Sequence, residues 1–250
     1  GLGRAIARHL LDKGANVMFA DMDEARLEDE VGEEARAEGA VRMFAGDLRK
    51  KLAITNLLSA TMDAFERVDI LVNASRQVLL SEPLEAEGDA VETMLQQNLY
   101  TSLRVSQQTA RRMIAQAGRS GEAPSGSIIN LSCIAAQRSR PELFGFSIAT
   151  AAVDQMTRAL ALALAPSGIR VNAIALGSVM SASLQAALKD NPGYREAITR
   201  GTPFGRIAGP AEVVEAVQYL ASDAAAFMTG QILTIDGGRS LIDPVAAPAH

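Results

Sequence analysis

The sequence predicts a single α/β domain in which a parallel sheet is covered by helices. Three observations predict it. A chain of 250 residues is long enough to bury one full core. Short apolar runs at residues 15–20, 41–45, 127–131 and 169–175 have the length and unbroken apolarity of buried strands. Between them lie stretches of helical character, at 24–39, 51–68, 91–117 and 149–165.

Composition narrows the class. Hydrophobic residues make up 48% and charged residues 21%, as in ordinary globular proteins. A formal charge of −5 argues against nucleic acid or an anionic membrane as the main partner. No apolar run approaches the roughly 18 residues that span a bilayer; the longest candidate, 159–165, ends at Pro166. No signal peptide is visible. The single Cys133 excludes an internal disulfide framework and fits a reducing compartment, so a cytoplasmic protein is expected. One Cys with two His, His9 and His250, cannot build an ordinary zinc site, and no metal is expected.

In chain order, Gly1-Leu2-Gly3 runs into a first helix, a weak signal taken alone. Residues 15–20 form a strand that ends at Asp21. The charged helix 24–39 presents a solvated face. Strand 41–45 ends in Gly46-Asp47-Leu48, and 51–68 is a second outer helix. Asp69-Ile70-Leu71-Val72-Asn73 reads as a strand that leads into Ala74-Ser75-Arg76. In the long helix 91–117, Val91, Met94, Ser102 and Val105 share a stripe with Asn98, whose buried amide needs partners. Residues 115–125 are a polar loop. A strand over 127–131, a loop and a helix from Phe146 onward follow. Pro166-Ser167-Gly168 stops that helix, and 169–175 is a further strand. Residues 212–222 are helical, 229–238 hold the last strand and turn, and the tail 241–250 is loosely ordered.

Several of these segments resemble the short-chain dehydrogenase/reductase family, in the family's order, over residues 1–240. Gly1 to Ala7 resembles the end of its TGxxxGxG turn. The resemblance places a strand before that turn, in the middle of the sheet, so a strand upstream of Gly1 is expected. Asn73-Ala74-Ser75-Arg76 resembles the NNAG turn, with Arg76 in place of glycine. Leu176 to Ser181 resembles PGxVxT, and Thr229 to Gly238 the final strand and turn. The segment 126–150 resembles the active-site stretch, where the family has Ser, then Tyr thirteen residues on, then Lys four further; here stand Cys133, Phe146 and Thr150. The fold implied is a doubly wound, Rossmann-type parallel sheet.

The same resemblance implies a cofactor site. Gly1 and Gly3 belong to its phosphate turn. Asp21, eighteen residues past Gly3, is placed to accept hydrogen bonds from the adenosine ribose. With Met22 and no Arg beside it, NAD is favoured over NADP; the alternative role is a helix cap, which Asp23 also fills. Asp47, beside Leu48, is carried over as an adenine contact, with a helix cap as the alternative. Asn73 survives from its motif, and Gly177, Val179 and Ser181 face the nicotinamide amide. Arg76 either clashes with the cofactor or pairs with its pyrophosphate. Asn98 matches an Asn whose water links the catalytic Lys to solvent, although here that Lys is missing.

Hydride transfer at a carbinol carbon also requires a proton to move on the oxygen. The family uses Tyr, its pKa lowered by the Lys ammonium. Phe146 has no such proton, Thr150 no charge, and Cys133 is a weak donor, best read as an inert thiol. A positioned acid or base is worth about 10²–10⁴ in rate. The expectation is an NAD-binding pseudoenzyme, inactive in standard alcohol or carbonyl chemistry. One alternative is an active oxidoreductase with a displaced donor such as Tyr194; Tyr100 points to a different helix face from Asn98. Another is a non-catalytic oligomer subunit whose cofactor cleft Arg76 fills, binding NAD weakly or not at all. Lys13, Lys50, Lys51 and Lys189 lie in outer segments. The small-molecule substrate is unnamed by the residues, and a homodimer or homotetramer is implied, alone or beside an active relative.

Overall fold

Among the described residues six strands carry the architecture: β1 (Val17–Asp21), β2 (Val41–Ala45), β3 (Ile70–Asn73), β4 (Gly126–Cys133), β5 (Ile169–Leu176) and β6 (Ile232–Ile235). They are seen in a computed structural model that describes residues 1–37, 39–121 and 125–245. His250, the end of the tail and part of the 115–125 loop lie outside the described residues. Every strand pairing is parallel. The helices between them are α1 (Leu2–Asp12), α2 (Glu24–Arg36), α3 (Lys51–Phe65), α4 (Val91–Met94), α5 (Thr101–Ser120), α6 (Phe144–Leu164), α7 (Ala182–Asp190), α8 (Gly193–Arg200) and α9 (Pro210–Ala221).

Alternation along β4 sorts the core onto two faces. Ile129 and Leu131 pack with Ile6 of α1 and Val213, Val217 and Leu220 of α9. Ile128 packs the other way, on Ala110 and Met113 of α5 and Ala161 of α6. Helices therefore cover both sides, the doubly wound arrangement that the sequence predicts.

The sheet is divided. β1 pairs with β2, while β3, β4, β5 and β6 form a separate four-stranded sheet in that order. Between β1 and β3 lies a cavity of about 830 Å³, lined by Val17 to Asp21 on one side and Ile70 to Asn73 on the other. Ile6 and Leu10 of α1 also line it, as do Leu57 and Leu58 of α3 and Val105 and Thr109 of α5. The Thr109 hydroxyl is buried there without a hydrogen-bond partner among the described residues.

Three sequence expectations need correction. Residues 91–117 are not one regular helix: a π-helical turn at Leu95–Tyr100 separates α4 from α5. An inserted residue of this kind leaves the average apolar spacing nearly intact, so periodicity does not reveal it. Residues 115–125 are not all loop: 115–120 continue α5, and residues 182–202, given no element above, are largely helical as α7 and α8, with Ser181 capping α7 through its hydroxyl. Finally, Pro141–Ser167 is long and apolar enough to cross a membrane by length and composition. It packs as a core helix, with Phe146, Ala149, Val153 and Ala161 buried beside the polar Asp154 and Thr157.

Candidate active site

The expected site residues stand at the ends of β1, β2, β3, β4 and β5, at the heads of α1 and α6, and in the π turn. Gly3, in the first turn of α1, passes close to the end of β3: a Cβ there would stand 3.1 Å from Ala74 Cβ. Gly1 precedes α1 as its N-cap and contributes no side-chain bond. Asp21 ends β1 and is exposed; its Oδ1 accepts from Asp23 N at 3.1 Å. Asp23, not Asp21, caps α2 by accepting from Arg26 N.

Asp47 follows β2, and its carboxylate is held by Arg49, with Nε and Nη2 donating at 2.8 and 3.0 Å. Those bonds keep its pKa below the usual carboxylate range. Asp47 therefore does not cap α3, whose N-cap is Lys50. Leu48 packs on Ile54, Leu58 and Val105 and borders the cavity beside β1. Asn73, at the end of β3, donates to Ser106 Oγ at 2.9 Å and to Asn130 Oδ1 at 2.8 Å. Asn130 in turn donates to Thr157 Oγ1 at 2.9 Å, so a chain of amides and hydroxyls crosses from β3 to α6.

At the end of β5, Gly177 is required by close approach: a Cβ there would lie 2.9 Å from Asp236 Cα. Val179 is buried and bridges to Ala208, while the Ser181 hydroxyl accepts from Leu184 N.

The corner between β3, β4 and α6 is occupied by Arg76. Its Cζ lies 6.0 Å from the centroid of the Phe146 ring, and its Nη1 donates to Ser132 O at 3.4 Å. Phe146 is only 4% exposed. Thr150 Oγ1 donates to Phe146 O at 2.7 Å, so this hydroxyl is turned into its own helix. Cys133 is half-buried among Met94, Ala135, Phe146 and Ala149. Asn98, in the π turn, grips the loop after β3: its Oδ1 accepts from Gln77 N and its Nδ2 donates to Gln77 O, both at 2.8 Å. Arg76, Asn98, Ser132, Phe146 and Thr150 line a small cavity at this corner, together with Ser75, Ser102, Leu131 and Val153.

Tyr194 stands 52% exposed on α8 and Tyr100 is 41% exposed beside Arg104. Lys13, Lys50, Lys51 and Lys189 are all exposed. One pair escaped the sequence reading. Ser132 Oγ donates to Asp154 Oδ1 at 2.5 Å, both residues being buried. Burial pushes the Asp154 pKa up, against the lowering effects of Ser132 and Arg158. The available signal was the one acid in a largely apolar helix, two turns after Phe146.

Fold and site together define an α/β protein of dinucleotide-binding architecture, with its candidate groups at the carboxyl ends of parallel strands. The chain belongs to the short-chain dehydrogenase/reductase family of oxidoreductases: the family described as enoyl-(acyl carrier protein) reductase matches residues 1–240. It is 32% identical to cis-4-hydroxycyclohexanecarboxylate dehydrogenase of Sinomonas cyclohexanicum, over 97% of this chain and 93% of that one. Among solved structures, a gluconate 5-dehydrogenase from Burkholderia cenocepacia in complex with NADP and tartrate superposes with a TM-score of 0.85 at 25% identity. That match covers 97% of this chain and 92% of the other. A 7α-hydroxysteroid dehydrogenase complexed with NADH and 7-oxo glycochenodeoxycholic acid gives 0.85 at 25% identity, over 95% and 89% of the two chains.

Proposed function

We propose that this protein binds NAD(H) but does not carry out the standard hydride transfer between an alcohol or carbonyl compound and nicotinamide. The observation that carries the reading is the surroundings of Phe146, where the resemblance expects the proton-transferring Tyr. The ring has no transferable proton, the Thr150 hydroxyl is spent on Phe146 O, and Arg76 covers the ring. Without a proton acceptor or donor at the substrate oxygen, the reaction loses the factor of about 10²–10⁴ that a positioned acid or base supplies.

Cofactor binding is supported by the other end of the crevice. α1 is 11 residues long and has no side-chain cap, so N–H groups of its first turn remain open to a phosphate. The exposed carboxylate of Asp21 suits ribose hydroxyls and disfavours an added phosphate, which favours NAD over NADP. Bound nicotinamide supplies the hydride chemistry; Gly177, Val179 and Ser181 are the segment assigned to its amide. We also assign the cavity between β1 and β3 to a strand carried upstream of Gly1, because two strand edges left unpaired inside a sheet are costly. The reading includes self-association as a homodimer or homotetramer, supported by the exposed Phe144, Ile148 and Leu162 on α6.

The test is a calorimetric titration of the complete protein with NADH and then NADPH, followed by a screen for NADH consumption with carbonyl compounds. NADH binding without turnover is expected. Absence of binding by either nucleotide, or turnover at ordinary dehydrogenase rates, would refute the reading.

A further inference from the structure

Arg76 is held in place from three sides, and among the described residues no carboxylate pairs with its charge. The backbone beside it is fixed by the two bonds from the buried Asn98 to Gln77. The guanidinium rests over Phe146, and one N–H reaches the neutral carbonyl of Ser132 at 3.4 Å. A guanidinium carries five N–H donors, so most of its capacity is unspent. Some other arginines are paired with a carboxylate, as Arg49 is with Asp47, Arg206 with Glu212 and Arg8 with Glu34. Arg76 has no carboxylate within 4.0 Å among the described residues. The nearby acid in this corner, Asp154, is already taken by Ser132 Oγ, and burial favours its uncharged form.

From this geometry we propose that the corner between the end of β3 and the head of α6 is an oxyanion-binding site. Arg76 takes a carboxylate or phosphate group of a ligand, with Phe146 as its platform. A planar guanidinium held against a ring is pre-organised for paired N–H···O bonds to such a group. A positive charge partly shielded by an aromatic face also loses less to solvent than a free surface arginine. The proposal rests on the reading of this crevice as a ligand site and adds the chemical class of what enters it. Two sources share the chemistry: an acidic small molecule, or the pyrophosphate of the dinucleotide.

The experiment is calorimetric titration of the full-length protein and its Arg76→Gln variant with benzoate, its neutral analogue benzamide, inorganic pyrophosphate and NADH. Arg76 is exposed, so the variant is expected to fold, and Arg76→Lys serves as a second variant that keeps the charge. The expected result is binding of benzoate or pyrophosphate but not benzamide, weakened at least tenfold in Arg76→Gln and partly restored in Arg76→Lys. Benzoate binding assigns the site to an acidic small molecule; loss of pyrophosphate and NADH affinity together assigns it to the cofactor. Equal affinity of both variants and the parent for every anion overturns the proposal, even where NADH binds all three. Anion binding that depends on Arg76, with no NADH binding to any form, leaves the oxyanion site standing and sinks the proposed function instead.

Discussion

Replacing Asn98 by Leu tests how the loop after β3 is held. The two side chains have the same number of heavy atoms and both branch at Cγ, so the change removes polar partners without opening a void. Asn98 accepts from Gln77 N and donates to Gln77 O, both at 2.8 Å. Each such bond contributes about 1 kcal/mol net, and a backbone group left dry costs about 1–3 kcal/mol. Gln77 is exposed, so water recovers part of the loss and the lower end applies, about 2 kcal/mol for the pair. For a chain of this length that corresponds to a fall in Tm of roughly 4–8 °C. Thermal unfolding followed by circular dichroism on parent and variant reads it directly. Because the grip fixes the residue beside Arg76, affinity for benzoate or pyrophosphate should fall as well. An unchanged Tm with unchanged anion affinity would show that the grip contributes nothing and that Arg76 is positioned by Phe146 alone.

Three further outcomes follow from the same geometry. The triple variant Arg76→Gly, Phe146→Tyr, Thr150→Lys should gain NADH-dependent carbonyl turnover by about 10²-fold or more over the parent, read by loss of NADH absorbance; equal rates in both would place the proton donor elsewhere. Asp154 has a raised folded pKa, so the native state binds more protons than the unfolded one above the ordinary carboxylate pKa. Its contribution to stability therefore declines as pH rises from that value through the folded one; urea titrations across this window should show the decline in the parent and not in Asp154→Asn. Gly177→Ala puts a Cβ 2.9 Å from Asp236 Cα, forcing backbone apart at a cost of about 1–3 kcal/mol; a urea midpoint equal to the parent's would mean that β5 and β6 separate freely at this end.

Much of this fold was legible because buried strands announce themselves locally. Ile128, Ile129 and Leu131 lie in one short apolar run, and helices follow at the expected spacing. The candidate positions were legible to the extent that motifs fix spacing: Phe146 and Thr150 border one small cavity with Asn98, and Cys133 packs beside Phe146. What sequence withheld depends on side-chain direction or on distant partners. Whether Arg76 would swing toward Phe146 could not be read from a loop. The Ser132–Asp154 bond joins residues 22 apart, and nothing in either neighbourhood names the other. The π turn around Asn98 adds one residue to a helix whose average period barely changes.

The amide chain at the centre of the sheet settles a question of alignment. Asn73 and Asn130 are direct partners across the β3–β4 rung, and their side chains are bonded to each other. A slip of one residue would exchange the two faces of a strand, and here both faces are covered by helices and lined by apolar side chains. A slip of two keeps each side chain on its own face and would cost apolar strands little. Here it would separate the two amides and strand Asn130, which is 1% exposed, without water. The buried amides thus act as an index mark, selecting one alignment from a set that greasy strands alone leave nearly degenerate.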